Sequence, residues 1–331
     1  MDSAVIAIGL LFDYLLAALI LWLGWRALTS QSPFRAIVLF VAFGLSMALA
    51  WVRLDAPDVA LAEIAVSAGL TGALLLAAFG GVHRTGESDK RRGELAARKQ
   101  LYRALLAVVT LAIFFGLAFV ILSLPPDAAG LAERVDAELA ATGVSNSVTA
   151  TLLHFRGYDT LLELAVLLLA LIAIRAIRRG GASPQRPGGE ILTVLAGLQA
   201  PAMILVAGYL LWAGADAPGG AFQAGAVLAA AGVLLVLAGV QLPWPAAGLQ
   251  FRVGLVAGLA VFIGLGIAGV LASGAFLNYS RFGVRGVTLV LEASATVSIG
   301  LVLLEMFRSV LGGSRSPRKA SRSMDQVDGP D

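Results

Sequence analysis

The stretch Asp55-Ala-Pro-Asp58-Val-Ala-Leu-Ala-Glu63 leads directly into an apolar run at 64–82 that contains only apolar, small and hydroxylic residues. A second stretch, Phe155-Arg-Gly-Tyr-Asp159-Thr-Leu-Leu-Glu163, opens another apolar run. Each run is long enough for a membrane-spanning helix, which needs roughly 20 residues. A charged side chain at the bilayer centre costs a few kcal/mol or more, so it tends to face a partner or a water path. Both stretches therefore predict membrane helices that carry an ion or proton route.

The composition indicates an all-α integral membrane protein. Of 331 residues, 59% are hydrophobic and 14% charged, against about 45–50% and about 25% in soluble domains. The chain contains no cysteine and only two histidines, His83 and His154. Thiolate-held zinc, iron–sulfur clusters and multi-histidine sites are therefore not expected, and we predict neither a bound cofactor nor an enzyme activity. The basic residues lie in short loops beside helices, so nucleic acid is not an expected partner.

Hydropathy predicts nine spans. They lie at about 5–25, 34–52, 57–82, 101–124, 157–175, 191–213, 219–240, 252–274 and 286–308. Nine is odd, so the termini lie on opposite sides, and 19 of the 24 Lys and Arg residues then share the side of the C-terminus. The positive-inside rule predicts an outer N-terminus and a cytoplasmic C-terminus. We expect a multi-pass protein of a bacterial inner membrane.

Polar segments divide the spans into blocks of three, two and four helices. The basic loop 83–100 and the Gly/Pro-rich loop 178–190 are the two divisions. The segment 131–139 reads as a short amphipathic surface helix, and the tail 311–331 as disordered. No clear inverted repeat is visible, which argues against a transporter that works alone.

The first acidic stretch leaves two interpretations open for its aspartates. Pro57 suits the first turn of a helix, and Asp55 or Asp58 could cap that helix. Alternatively, both line an ion route. Glu63 lies about 9 Å inside the helix start, too deep to cap it. Ser67 follows one turn later on the same face, so we expect Glu63 to serve in proton or Na⁺ transfer.

The second acidic stretch places two carboxylates on one helix face. Asp159 and Glu163 are four residues apart, about 6 Å at the helix surface. In a low dielectric the two carboxyl groups would not both ionise easily. Either one of them holds a proton, or a cation lies nearby. A transient Na⁺ is expected either beside this pair or near Glu63. Arg156 is a candidate partner. The alternative is an interfacial helix start, with Asp159 and Arg156 among the head groups.

A third feature is Pro218-Gly219-Gly220-Ala-Phe-Gln223-Ala-Gly225. Gly219 and Gly220 permit a tight turn between two spans. Gly225 belongs to a stripe of small residues that allows close helix packing, and Gln223 adds a polar side chain one turn into the helix. A hairpin with a packing seam explains most of this pattern.

Acidic residues also occur in the last span. Glu292 lies about six residues inside it. It either takes part in ion or proton transfer or pairs with Arg281 or Arg285. Glu305 and Arg308, near the other end of the span, are more typical of an interfacial pair.

These strings resemble the membrane subunits of Mrp-type multisubunit cation/proton antiporters, and their relatives in membrane-bound hydrogenases and respiratory complex I. Residues 55–63 and 68–71 are similar to a three-helix MbhD-type module, which we place at 1–85. Residues 155–163 resemble a two-helix MbhE-type module, placed at 100–180, and 218–225 a four-helix MrpB (MnhB) module, placed at 188–310. Two positions depart from the family pattern: Ala62 stands in place of a Thr and Ala221 in place of a Gly.

The resemblance implies a subunit of a large membrane complex, surrounded by other antiporter-like subunits and lipids. It implies that carboxylates line a Na⁺ or proton path, namely Asp55, Asp58, Glu63, Asp159 and Glu163. In the complex I relatives, the three-helix module resembles a coupling subunit whose third helix can carry a π-bulge, which would fall near Gly69 and Gly72 here. Two alternatives remain open. One is a coupling subunit in the membrane arm of a redox assembly, and the other is a membrane partner of a soluble protein.

Overall fold

The computed structural model describes residues 3–82, 96–125, 130–177, 189–240, 248–279 and 283–312. The regular structure in these ranges is helical throughout. Most of the two predicted linker loops and the C-terminal tail lie outside the described residues, so the predictions made for them have no counterpart here.

Helices account for each of the nine predicted spans. In chain order the α-helices are α1 Ser3–Thr29, α2 Pro33–Arg53, α3 Pro57–Glu63, α4 Gly72–Val82, α5 Ala96–Ser123, α6 Ala132–Leu139, α7 Ser147–Ala150, α8 Gly157–Ile177, α9 Glu190–Ala213, α10 Ala221–Leu237, α11 Leu249–Ser273 and α12 Val284–Gly312. The third span combines α3 and α4 through a π-helix at Ile64–Thr71. In the described ranges eight spans are long and apolar enough to cross a membrane, and α10 is a shorter apolar helix. The all-α membrane fold is therefore confirmed.

The connection before α8 is more ordered than the sequence indicated. The predicted surface helix is present as α6 and ends in a 3₁₀ turn at Ala140–Thr142. Asn146 then caps α7 by accepting hydrogen bonds from the backbone of Val148 and Thr149. A second, unexpected π-helix at Thr151–Phe155 leads into α8.

The core is centred on α12, which packs against α8, α10 and α11. Of its most apolar stretch 61% is buried, more than in any other described span. Small residues let the helices approach closely. A Cβ on Gly225 of α10 would lie 2.9 Å from Ile299, and one on Gly258 of α11 would lie 3.0 Å from Ala295. The predicted packing seam through Gly225 is confirmed.

The first helical block attaches to this core through its third span. The π-helix contacts α10 and α4 contacts α12, while α2 packs against α1 and the third span. A Cβ on Gly72 would lie 2.8 Å from Val41, so the glycine permits the close approach of α4 to α2. By contrast, α5 packs little against the rest of the described chain. None of the residues in its apolar stretch, Ala104–Ser123, is buried.

Candidate functional site

Three connections meet at one end of the bundle, which we call the junction end. Asp58, in the first turn of α3, is 8% exposed. Its Oδ1 accepts hydrogen bonds from the backbone N–H of Gly219 at 3.1 Å and from Nδ2 of Asn146 at 3.4 Å. Its backbone oxygen accepts a hydrogen bond from Nε2 of Gln223 at 3.3 Å. Asp58 thus joins the first block to the connection before α8 and to the turn before α10.

The capping interpretation of the two aspartates is wrong. Ala56 occupies the N-cap position of α3, and no side chain caps that helix. Asp55 is exposed and has a φ of 54°, in the left-handed region that Asp tolerates better than most residues. Asp55 therefore forms the tight turn between α2 and α3. Asp58 is buried at the junction end, and its carboxylate bonds to Gly219 instead of capping α3.

The turn before α10 requires both of the predicted glycines. Gly220 has a φ of 109°, which only glycine adopts readily. A Cβ on Gly219 would lie 2.5 Å from the carbonyl oxygen of Leu210. A Cβ on Gly220 would lie 3.1 Å, and one on Gly214 3.2 Å, from Oε1 of Glu292. These glycines shape the wall against which the Glu292 carboxylate packs.

Glu292 is buried, at 3% exposure, without an ion pair to any described residue. The predicted alternative of a Glu292–Arg285 pair is wrong because Arg285 points to the surface and contacts Asp216, with Nη2 2.6 Å from Oδ2. Arg281 lies outside the described residues. On the side that faces Gly214 and Gly220, the Glu292 carboxylate therefore packs against backbone and not against a cation.

Asp216 anchors the connection before α8 to the turn after α9. The Ser145 hydroxyl donates to its Oδ1 at 2.8 Å, and the backbone N–H groups of Ser145 and Asn146 donate to the Ala215 oxygen. The Ser145 hydrogen bond and the Arg285 guanidinium together hold the pKa of Asp216 below its usual value. Asp216 thus remains an anion that fixes the geometry of the junction end.

The sequence patterns did not indicate two further polar residues, His154 and Thr288. Nε2 of His154 lies 3.0 Å from Oγ1 of Thr288, and the Thr288 hydroxyl donates to the Val284 oxygen at 3.0 Å. Thr288 precedes Glu292 by four residues, so both lie on one face of α12. That spacing is visible in the sequence, but the approach of His154 from a distant segment is not.

His154 also lines a cavity of about 320 Å³ at the junction end. Glu138, Asn278 and Tyr279 are among its other polar lining residues. The Tyr279 hydroxyl is buried without a hydrogen-bond partner among the described residues, and burial raises the pKa of Tyr279 to about 12. Burial also lowers the pKa of His154. Both side chains are therefore neutral near pH 7.

Glu63 lies away from this network, between α3 and α2. It is partly buried, with its Oε1 3.5 Å from the position of a Cβ on Gly44. The Ser67 hydroxyl donates to its backbone oxygen at 2.6 Å. The carboxylate forms no ion pair within the described residues. The π-helix begins at the next residue and includes Gly69, so the distortion predicted near Gly69 and Gly72 is present.

The second acidic pair separates into two environments. Asp159 forms an ion pair with Arg156 at 2.6 Å, and both side chains are at least half exposed. This contact agrees with the interfacial interpretation of the helix start. Glu163, one turn further on, is exposed on the surface of the chain and has no ion pair among the described residues. The two carboxylates therefore do not share a buried site within this chain.

The structure brings together only part of the predicted set. Asp58, Gly219 and Gln223 form the junction with Asn146, and Gly220 lies against Glu292. Glu63 lies away from this network, and so do Asp159 and Glu163 on α8. Among the described residues, no group of three or more His, Cys, Asp or Glu side chains could hold a metal ion.

Comparisons with known proteins identify two segments of the chain. Residues 18–84 match the MbhD family of MBH subunits, and residues 191–314 match a domain related to the MnhB subunit of a Na⁺/H⁺ antiporter. Among curated proteins no match was found.

Two solved structures resemble the fold. A chain of the Mrp complex from Dietzia sp. DQ12-45-1b aligns with a TM-score of 0.70 and 22% identity, over 92% of this chain and 35% of that one. A chain of the membrane-bound sulfane sulfur reductase, an archaeal respiratory membrane complex, aligns with a TM-score of 0.54 and 26% identity, over 64% of this chain and 98% of that one. This protein thus spans about a third of the Mrp chain that it matches.

The two family matches lie on either side of the α5–α8 region, and one fold similarity extends over nearly the whole chain. The chain therefore combines a segment that matches the MbhD family and a segment that matches the MnhB-related domain in one polypeptide.

Proposed function

We propose that this chain is a membrane subunit of a multisubunit Na⁺/proton antiporter complex in a bacterial inner membrane, and that its carboxylates form part of the ion or proton path. The match of residues 191–314 to a domain related to a Na⁺/H⁺ antiporter subunit carries the proposal. In the proposed topology, the junction end faces outward and the middle block, 100–180, is the MbhE-type module.

The acidic residues differ in whether an arginine balances their charge. Asp13 pairs with Arg53, Asp159 with Arg156, Asp216 with Arg285, and Glu305 with Arg175. Glu63, Glu163 and Glu292 form no such pair within the described residues. A carboxylate without a cation in a low dielectric tends to take up a proton or to attract a cation. These three glutamates are therefore the proposed carriers, while Asp55, Asp58 and Asp159 lie toward the mouth of the path.

The exposed helices support a place within a larger assembly. The apolar stretch of α5 is 0% buried and that of α1 only 6% buried against the described chain. Helices that cross a membrane associate through packing and hydrogen bonds with neighbours. The surface of α5 is thus available for another membrane subunit as well as for lipid.

The function is tested with the assembled complex. A cell lacking this chain should lose Na⁺-dependent proton exchange in inside-out vesicles, and reintroducing the full chain should restore it. Purification through the chain should recover antiporter-like membrane subunits in mass spectrometry. Unchanged exchange after removal of the chain would contradict the antiporter function.

Two observations favour a second function: residues 18–84 match the MbhD family, and the chain resembles a component of a respiratory reductase over 98% of that component. The chain would then couple redox chemistry done elsewhere to ion movement in a membrane arm. Co-purification of iron–sulfur subunits would favour this function. Another large soluble protein in the same preparation would instead favour a membrane partner of a soluble component.

A further inference from the structure

A line of polar side chains leads from the junction-end cavity to the buried Glu292, and the proposed function does not account for it. His154 lines the cavity and contacts Thr288 at 3.0 Å. Thr288 is one helical turn from Glu292 on α12. We propose that His154 and Thr288 relay protons between water in this cavity and Glu292. This inference rests on the proposed role of Glu292 as a proton carrier.

The cavity is suited to hold the water that such a relay needs. Its volume of about 320 Å³ exceeds that of several water molecules, each of which takes about 30 Å³ in the liquid. Tyr279 is one of its lining residues, and the Tyr279 hydroxyl is buried without a hydrogen-bond partner among the described residues. A buried polar group of this kind is normally satisfied by an ordered water. The unsatisfied hydroxyl thus marks a position for water beside His154.

The hydrogen bonds of Thr288 favour one tautomer of His154. The Thr288 hydroxyl already donates to the Val284 oxygen, so its own oxygen is available as an acceptor. With the Thr288 hydroxyl in that orientation, the relay places the donor of the 3.0 Å contact at Nε2 of His154. In a neutral imidazole the other nitrogen, Nδ1, is then an acceptor. Nδ1 can take a proton from the cavity while Nε2 holds one ready for Thr288.

The step from Thr288 to Glu292 follows from helix geometry. Residues four apart have Cβ atoms about 6 Å apart, and long side chains lean toward the N-terminus of their helix. Glu292 therefore leans toward Thr288. Rotation of the Thr288 hydroxyl away from the Val284 oxygen turns its proton toward the carboxylate.

Every proton in the proposed transfer has a source and a destination. Nδ1 of His154 gains one proton from a hydronium ion in the cavity, which is left as water. Nε2 passes its proton to Oγ1 of Thr288, and the Thr288 hydroxyl proton passes to the Glu292 carboxylate. His154 ends neutral with its proton on Nδ1. The starting tautomer returns when the ring turns so that Nε2 gains a proton from cavity water, Nδ1 loses its proton to that water, and the ring turns back. The reverse sequence releases the proton from Glu292.

Few charges surround this route in the described structure. Glu138 on α6 lines the cavity, Tyr279 lies edge-on to the His154 ring with centroids 5.8 Å apart, and Arg285 on α12 is engaged by Asp216. Among the described residues that line the cavity, none is a Lys or Arg whose charge would repel an approaching proton. Glu138 favours the approach of a proton.

The relay is tested by hydrogen–deuterium exchange of the protonated Glu292 carboxyl, followed by infrared spectroscopy on the purified full chain in phosphatidylethanolamine/phosphatidylglycerol liposomes at pH 5. Loss of the band in Glu292→Gln assigns it. We expect His154→Gln and Thr288→Val to slow exchange by about 100-fold, since a positioned proton donor contributes roughly 10²–10⁴. Thr288→Ser should retain the wild-type rate.

The control variant is Thr149→Val. Thr149 belongs to the same segment as His154 and donates to the Gly214 oxygen, outside the relay. Its variant should exchange at the wild-type rate. Unchanged exchange in His154→Gln and Thr288→Val, equal slowing in Thr149→Val, or absence of any protonated Glu292 band would each overturn the relay. The measurement reports on Glu292 itself. A negative result therefore rejects the relay without rejecting the antiport function, which is tested separately with the complex.

Discussion

The carboxylate of Asp58 accepts a hydrogen bond from the backbone N–H of Gly219, 3.1 Å away and 161 residues along the chain. This contact connects the segment that matches the MbhD family to the segment that matches the MnhB-related domain at the junction end. Asn146, from the segment between them, donates to the same carboxylate oxygen. One buried aspartate thus holds three parts of the chain in register.

Replacing Asp58 by Ala should destabilise the fold. Gly219 and Asn146 would each lose an acceptor, and a buried donor left unsatisfied costs about 1–3 kcal/mol. Thermal unfolding of the purified chain in detergent measures the loss. Asp136→Ala is the matched control, since Asp136 is exposed on α6. Equal midpoints for the two variants would contradict the structural role of Asp58.

Gly220→Ala should destabilise the turn before α10. A residue with a Cβ at φ 109° is strained, and that Cβ would lie 3.1 Å from the Glu292 carboxylate. We expect a loss of more than about 1 kcal/mol in the free energy of unfolding. Gly197→Ala in α9 is the control, because a Cβ there meets no atom within 4 Å. That variant should be as stable as wild type or more so; a similar loss in both would refute the turn argument.

Neutral replacements of the unpaired glutamates should impair ion exchange in the assembled complex. Glu63→Gln and Glu292→Gln remove a titratable group with little change of volume. We expect each to lower the rate of Na⁺-dependent proton exchange by roughly 10²-fold or more. Asp159→Asn should have a smaller effect, because Asp159 already pairs with Arg156 at the surface. Full exchange in both glutamate variants at every pH would remove them from the path.

The stability of the fold should decrease as the pH falls through about 6.5, the ordinary pKa of histidine. Burial lowers the pKa of His154 in the folded chain. Between that lowered pKa and 6.5 the unfolded chain binds more protons than the folded chain, so acid favours unfolding. His154→Gln should flatten the dependence of the melting temperature on pH between 5 and 7. An unchanged slope would show that His154 is not the group responsible.

The exposed α5 should contact another subunit in the complex. Because the chain contains no cysteine, an introduced Phe115→Cys, at a side chain 64% exposed, allows cross-linking from a single position. We expect adducts with a different membrane protein of the complex. Val302→Cys, at a position 2% exposed in the core, should give none. Failure of Phe115→Cys to cross-link would assign this face of α5 to lipid.

The sequence alone determined the membrane helices and several local features. A bilayer leaves backbone groups without water, so long apolar segments can only satisfy them as helices. Hydropathy therefore located the eight long apolar helices of the described residues and the shorter helix α10. Glycine chemistry predicted the Gly219–Gly220 turn because a positive φ is a local requirement. The distortion near Gly69 was predicted from a family resemblance, and it is present as the π-helix Ile64–Thr71.

Only the tertiary structure decided which polar groups meet. Local reasoning allowed Asp58 to cap its helix, but its partner Gly219 is 161 residues away. Proximity in sequence allowed Glu292 to pair with Arg285, yet Asp216 takes that arginine. His154 and Thr288, 134 residues apart, gave no joint signal. Membrane helices of similar hydropathy can pack in many ways, and the close contacts of small residues along α10, α11 and α12 select the arrangement that brings these side chains together.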